Sequence, residues 1–329
     1  MNIAFFSTLS FEQAWFDQYS AHHRITYIPE RLTTKTVHLA QGHNAVCVFV
    51  NDDLSRPVLT LLKGMGIGVV GMRCMGTDNA DTQAIADLGM TLLHSSYSPY
   101  SIAEQTVALL MGMLRHLPQA HQRVQAGNFA IDGLVGYDLH GKTVGVVGTG
   151  HIGKAFIRIM LGFGCKVLAY DVCVDRRLTE IGVTYLSLPE LLQRADVVSL
   201  HCPLNSATQH MINEQTLSLM KQSVILVNTG RGGLVDTSAV LDALDTGKLA
   251  GYAADVYERE RNYFHYDCSN KHIVDDVLNR LRQHPKVLLT AHQGFLTEDA
   301  LRQIALSLIN QFSFFDNQQT ASITKASMC

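Results

Sequence analysis

The chain has 329 residues, of which 47% are hydrophobic and 17% charged, and a formal net charge of −3. That is apolar material for about two domains with no disorder signature, and the lack of a basic excess argues against nucleic acid or an anionic membrane as the main partner. Seven cysteines without a Cys-x-x-Cys pair speak against a disulfide framework and a structural zinc site, and fifteen histidines without a His-Glu-x-x-His segment supply no metal motif.

The first residues, MNIAFFSTLSFEQAWFDQ, carry neither the basic start nor the apolar stretch of a secretion signal, and no run of 18 apolar residues occurs, so a cytoplasmic protein is expected. Five short apolar runs then alternate with helix-like segments: IAFF (3 to 6), ITYI (25 to 28), AVCVFV (45 to 50), IGVVGM (67 to 72) and TLLH (91 to 94). Such alternation predicts a parallel sheet with crossover helices, a flavodoxin-like α/β domain. At Ser98-Pro99 an N-cap residue and a first-turn residue precede Ile102, Ala103, Val107, Leu110 and Leu114 at helical spacing, which predicts a long helix starting there.

A polar stretch from Gly127 to Gly141 leads into six more strand candidates: TVGVVG (143 to 148), KVLAYD (166 to 171), VVSLH (197 to 201), SVILVNT (223 to 229), GYAADVY (251 to 257) and VLLTAH (287 to 292). They predict a second doubly wound sheet. An amphipathic helix from about Thr297 to Phe314 is too short for a third domain and too apolar to leave in water, so it is expected to return to the first domain, with the tail SITKASMC fraying.

Gly148-Thr149-Gly150-His151-Ile152-Gly153 fits G-x-G-x-x-G, in which glycines permit a tight turn, close approach to a pyrophosphate and close helix packing. In a chain with 25 glycines the hexapeptide alone is no better than a turn. Its context adds weight: a strand precedes it, a helix from Lys154 to Phe163 ended by Gly164 follows, and Asp171 stands at the end of the next strand, where it can accept hydrogen bonds from a ribose diol. An acidic residue there favours NAD over NADP, and Arg176 and Arg177 close by read as a solvated helix start. The expectation is an α/β protein of two doubly wound parallel-sheet domains, a flavodoxin-like catalytic (substrate) domain over 1–98 plus 297–329 and a Rossmann NAD-binding domain over 99–296.

Three later strand ends carry polar residues: Asn228-Thr229-Gly230-Arg231-Gly232-Gly233, Asp255-Val256-Tyr257-Glu258-Arg259-Glu260 and Thr290-Ala291-His292-Gln293-Gly294-Phe295. With HCPL (201 to 204), FVNDD (49 to 53) and SRPVL (55 to 59), the chain resembles the D-2-hydroxyacid dehydrogenases over nearly its whole length, and those last two segments are most similar to the fermentative bacterial D-lactate dehydrogenases. The resemblance implies that Arg231 holds the substrate carboxylate and polarises its carbonyl, that His292 is the general acid and base, and that Glu260 orients and charges His292. Glu258 competes for the last role and reads as solvated.

By the same resemblance Asp255 bonds the nicotinamide amide, and Thr229, Gly230 and the His201-Cys202-Pro203 turn line the cofactor's ribose and ring. Arg73-Cys74-Met75-Gly76 offers backbone N–H groups, chiefly at Met75 and Gly76, to the carboxylate, while Tyr97 and Phe295 close the pocket around a small side chain. Two departures stand out: Gln105 where the family commonly has His, and Gly294 where Ala is more usual. The expected enzyme reduces pyruvate to D-lactate with NADH, closing about hinges near Ser98 and Leu296. The alternatives are another 2-keto acid, such as phenylpyruvate, hydroxypyruvate or glyoxylate, and an NAD-sensing binding protein of the corepressor kind. A homo-oligomer, dimer or tetramer, built through the long helix after Ser98 is implied, with Met111 and Met113 on that helix read as core.

Overall fold

The computed structural model describes every residue except Ala21, Asp78 and 327–329, with side chains described through position 317. The chain divides into two compact units, Met1–Ser98 together with the segment from Leu296, and Pro99–Phe295. Leu296 thus falls to the first unit, one residue earlier than the sequence suggested.

In the first unit, strands β1 (Asn2–Phe5), β2 (Arg24–Tyr27), β3 (Ala45–Val48), β4 (Val69–Met72) and β5 (Thr91–His94) alternate with helices α1 (Ser10–Tyr19), α2 (Arg56–Gly64) and α3 (Thr82–Asp87). The strands are all parallel in the order β2-β1-β3-β4-β5, the flavodoxin order. β3 and β4 are buried at every residue, as uninterrupted runs such as AVCV and VVGM require in a sheet covered on both faces.

The second unit opens with α4 (Tyr100–Leu114) and α5 (Leu117–Gln125) and continues through β6 (Thr143–Val147), α6 (His151–Gly162), β7 (Lys166–Tyr170), α7 (Arg176–Glu180) and β8 (Thr184–Tyr185). It ends with α8 (Leu188–Arg194), β9 (Val197–Leu200), α9 (Glu214–Leu219), β10 (Val224–Asn228), α10 (Thr237–Asp245), β11 (Leu249–Ala254), α11 (Asp276–Gln283) and β12 (Val287–Leu289). Its parallel sheet runs β12-β11-β10-β9-β6-β7-β8, so the order reverses between β9 and β6, and a crevice for ligands opens beyond the carboxyl ends there. The sheet has seven strands where the sequence suggested six; β8, two residues at the sheet edge, is too short to show a pattern.

α4 starts where the Ser98-Pro99 signal predicts a long helix. Pro99 directly precedes Tyr100, the first helical residue, and the Ser98 N–H donates to Gln303 Oε1 at 2.6 Å. Met111 and Met113 pack against the core of the second unit, and a Cβ on Gly251 in β11 would come within 2.4 Å of the Met113 sulfur. This helix is core.

The final helix, α12 (Glu298–Ala326), packs on α1, β4 and β5 of the first unit. Phe312 is 1% exposed, and a Cβ on Gly71 would lie 2.4 Å from its ring, so the glycine in β4 makes room for the aromatic anchor. The helix runs well past Phe314: 322–326 of the tail expected to fray are helical, and 327–329 lie outside the described residues. Among the described residues no helix is long and apolar enough to cross a membrane.

Candidate active site

The glycine turn follows β6 directly. Gly148 has φ +96°, and a Cβ there would meet the Cys202 nitrogen at 2.5 Å and the His201 carbonyl carbon at 2.6 Å, so the backbone after β9 lies against it. A Cβ on Gly153 would stand 2.0 Å from the Gly148 oxygen, which fixes the first turn of α6 on the strand end. Gly150, the N-cap of α6, faces open space. Open space before the N-terminus of a 12-residue helix is what a pyrophosphate needs, and His151 and Ile152 stand in that helix's first turn. The residues present therefore fit a dinucleotide.

Asp171 sits just past β7 beside this turn. Its carboxylate accepts from the Thr149 N–H at 2.6 Å, the Thr149 hydroxyl at 3.1 Å and the Cys173 N–H at 2.9 Å. Burial works against its charge, but the hydrogen bonds from Cys173 and Thr149 outweigh it and hold the carboxyl below the usual range. It lines an open pocket with Gly150, Lys154, Cys173 and Arg176. Arg177 and Lys154 both pair with Asp175, at 2.9 and 2.6 Å.

The His201 ring turns onto Phe156 with centroids 5.0 Å apart, and its Nε2 lies 2.9 Å from the Ser199 hydroxyl. Burial pushes its pKa down to about 3, so the ring is neutral and packs behind the glycine turn. Burial likewise pushes the Cys202 thiol up to about 11, and its Sγ lies 3.4 Å from the Met211 sulfur. Pro203 completes the turn, its carbonyl accepting from the Thr208 hydroxyl at 2.7 Å.

After β10, the side-chain amide of the fully buried Asn228 braces the next turn from both ends: Oδ1 accepts from the Gly230 N–H at 3.1 Å and Nδ2 donates to the Arg231 carbonyl at 2.9 Å. Thr229 is buried with its hydroxyl 2.7 Å from that of Thr106 on α4. Arg231 is half-buried, and its Nη1 donates to the Gly230 carbonyl at 3.0 Å.

Beyond β11 and β12 two side chains meet. His292 Nδ1 lies 2.5 Å from Glu260 Oε1, while Glu260 Oε2 accepts from the Tyr257 N–H at 2.8 Å. Both side chains retain slight exposure, 16% and 14%. Burial disfavours a charged imidazole, but the charge and hydrogen bond of Glu260 prevail over burial and over nearby Arg231, and the His292 pKa is raised. His292 is in the left-handed region, φ +53°, a conformation costly for a non-glycine residue. Its N–H donates to the Asp255 carbonyl at 2.6 Å, and its own carbonyl lies 3.1 Å from His265 Nε2. With Nδ1 on Glu260, Nε2 is the ring atom left to meet a reactant.

Asp255 has a task the sequence did not reveal. It is 1% exposed, and its carboxylate accepts from the Thr290 hydroxyl at 2.5 Å, the Gln293 N–H at 3.0 Å and the Gly294 N–H at 2.7 Å, so it holds the turn that carries His292. Glu258 corrects the sequence reading: instead of being solvated, it lies 3.0 Å from His210 Nε2 and accepts from the Thr237 N–H at 3.2 Å. Phe295 is buried at the end of the unit. His265 was missed, since a lone histidine in a loop carries no pattern.

In the first unit, Met75 and Gly76 stand in the loop after β4 and Tyr97 in the segment after β5, all half-buried. Arg73 takes no part in offering N–H groups, because its backbone N–H is spent on the Val48 carbonyl at 2.9 Å. Its guanidinium is enclosed, donating to Glu12 Oε1 at 2.9 Å and to the Phe6 and Ser7 carbonyls at 2.9 and 3.0 Å.

The profile described as D-isomer specific 2-hydroxyacid dehydrogenase, NAD binding domain, matches residues 107–294. This chain belongs to the D-isomer specific 2-hydroxyacid dehydrogenases. It is 40% identical to the D-lactate dehydrogenase of Escherichia coli over 97% of this chain and 98% of that protein. It is 47% identical to 2-hydroxyacid dehydrogenase A of Aspergillus oryzae over 93% of this chain and 89% of the relative. The solved D-lactate dehydrogenase from Aquifex aeolicus, complexed with NAD and lactic acid, superposes with a TM-score of 0.87 at 31% identity, covering 98% of both chains. The protein is an NAD-dependent enzyme of this family, so the reading as a non-enzymatic NAD sensor falls away.

Proposed function

We propose that the enzyme reduces pyruvate to D-lactate. The observation that carries this reading is the 2.5 Å contact between His292 Nδ1 and Glu260, which favours the charged form of the ring and leaves Nε2 to donate its proton. Bound NADH supplies the reducing hydride. Arg231 takes the substrate carboxylate and draws electron density from the adjacent carbonyl with its planar fork, a geometry that lysine lacks. As the carbonyl carbon is reduced, His292 Nε2 gives its proton to the oxygen, a contribution of about 10²- to 10⁴-fold, and Glu260 stabilises the charged ring beforehand.

For the cofactor, we assign the pyrophosphate to the N–H groups at the start of α6, the adenosine ribose to Asp171, and the nicotinamide end to Thr229, Gly230 and Asp255. The D-lactate dehydrogenases among the relatives favour pyruvate, and the relatives named only for 2-hydroxy acids keep larger keto acids as the second reading. We also propose a cytoplasmic homo-oligomer, with its contact on the segment after α4 because α4 itself is core.

The test is NADH oxidation with pyruvate, phenylpyruvate, hydroxypyruvate and glyoxylate, with chiral analysis of the product. The highest kcat/KM is expected for pyruvate, with only the D isomer formed and with His292→Ala reducing kcat at least a hundredfold. A higher kcat/KM for any of the other three acids overturns the substrate assignment, and an active His292→Ala enzyme overturns the role of His292.

A further inference from the structure

We propose that Glu258 and His210 are a positioning pair that clamps the Arg231 turn to the segment leading into Glu260. The inference rests on the roles proposed above for Arg231 and Glu260. The segments following β9, β10 and β11 meet here. Gly232 lies so close to the third of these that a Cβ on it would stand 2.1 Å from the Tyr257 carbonyl carbon and 2.2 Å from the Glu258 nitrogen. On the other side, the His210 N–H donates to the Gly233 carbonyl at 2.8 Å, Ile212 to Leu234 at 3.0 Å and Asp236 to Ile212 at 2.8 Å. The turn that presents Arg231 is therefore held between two other loops.

The Glu258 carboxylate ties all three together. Oε2 meets His210 Nε2 at 3.0 Å, and Oε1 accepts from the N–H of Thr237, the first residue of the helix that follows the Arg231 turn. His210 is in the left-handed region, φ +48°, and its carbonyl accepts from Asn213 Nδ2 at 2.9 Å, while Asn213 Oδ1 caps α9 through the Thr216 N–H at 3.1 Å. Such a conformation persists only where its surroundings hold it. The paired side chains are 40% and 21% exposed, and accessible ion pairs add little to global stability. Their effect thus falls on the geometry of the loops they join.

A loosened Arg231 turn weakens the hold on the substrate carboxylate while leaving the His292–Glu260 contact and the glycine turn in place, so loss appears mainly in KM. Three variants test this: Glu258→Ala removes both contacts, His210→Asn removes the imidazole while tolerating the left-handed backbone, and Glu258→Gln keeps an acceptor for Thr237 and a hydrogen-bonding partner for the imidazole. Steady-state kinetics with pyruvate, oxamate binding and NADH fluorescence titration are the readouts. Glu258→Ala and His210→Asn are expected to raise KM and the oxamate Kd about tenfold with kcat down less than threefold and the NADH Kd unchanged, and Glu258→Gln to return within about threefold of the parent.

Parent-like KM and oxamate Kd in either of the first two variants overturn the proposal, as does Glu258→Gln behaving like Glu258→Ala. If Glu258→Ala does not fold, His210→Asn and Glu258→Gln decide the matter. Arg231→Gln and His292→Asn run in parallel keep the two readings apart: if both remain active the proposed function fails, whereas their inactivity beside a parent-like Glu258→Ala overturns the clamp alone.

Discussion

His292 donates its backbone N–H to the carbonyl oxygen of Asp255 at 2.6 Å, and the Asp255 carboxylate collects the N–H groups of the next two residues together with the Thr290 hydroxyl. One buried residue thereby sets both ends of the turn that aims the imidazole. Asp255→Asn replaces one acceptor oxygen by a donor that faces other donors. It is expected to lose about 1–3 kcal/mol of stability for the unmatched buried groups, and at least a hundredfold in kcat through misplacement of His292. Chemical denaturation and single-turnover kinetics check the two effects, and a kcat near that of the parent rules out the positioning role.

The pH dependence follows from the raised His292 pKa. In the proposed mechanism reduction of the keto acid needs the charged ring, so activity is expected to be full on the acid side and to fall as pH rises through the His292 pKa, with the opposite limb for oxidation of the hydroxy acid. The same shift stabilises the fold fully below the unfolded histidine value, about 6.5, and that contribution fades as pH rises through the folded value. Glu260→Gln removes the charge responsible, so the alkaline limb of kcat/KM for reduction is expected to move to lower pH. A limb that stays in place assigns the titration to another group.

Cofactor choice is tested at Asp171. Its carboxylate, held below the usual range, repels a 2′-phosphate, while Lys154 and Arg176 line the same pocket. Asp171→Ser is expected to weaken NADH by at least tenfold and to improve kcat/KM for NADPH. Unchanged NADH affinity removes Asp171 from the ribose site.

The strands and the glycine turn were legible because buried parallel strands demand apolar runs and the turn demands glycines, both of which are local. What escaped was set by contacts distant in sequence. Glu258 and Glu260 look alike in local pattern, and the distant partners they meet, His210 for the one and His292 for the other, separate them in space. Asp255 reads only as a ligand residue until its three donors, 35 to 39 positions away, add its second task of holding the turn. Likewise β8 exists because Thr184 and Tyr185 find an edge beside Leu168 and Ala169, not because two residues show a pattern.

The two departures from the family pattern are neighbours. A Cβ on Gly294 would stand 3.1 Å from Asp255 Oδ2 and 3.7 Å from Gln105 Cγ. Gly294→Ala alone crowds the carboxylate and is expected to lower kcat two- to fivefold with stability changed by less than about 1 kcal/mol. Gln105→His combined with Gly294→Ala is expected to recover that loss, since residues in contact couple. Strictly additive effects on kcat refute the compensation.

Self-association is the last expectation, and the exposed apolar residues after α4 are the surface proposed for it. The residues after α4 leave Phe129, Ile131 and Val135 at 76, 80 and 85% exposure, and Leu117, Val124 and Tyr137 are also exposed. α5 buries none of its residues. Scattered apolar residues on a surface are ordinary, but six large ones within 21 positions concentrate apolar surface in one stretch of chain, which water covers at a cost. A second copy of the chain, offering the same stretch about a twofold axis, removes that surface from both partners. Light scattering is therefore expected to give at least twice the mass of the chain, and Phe129→Asp with Ile131→Asp to shift it to the monomer with the fold retained by circular dichroism. A monomeric parent, or an oligomer that survives both charges, rejects this surface as the contact.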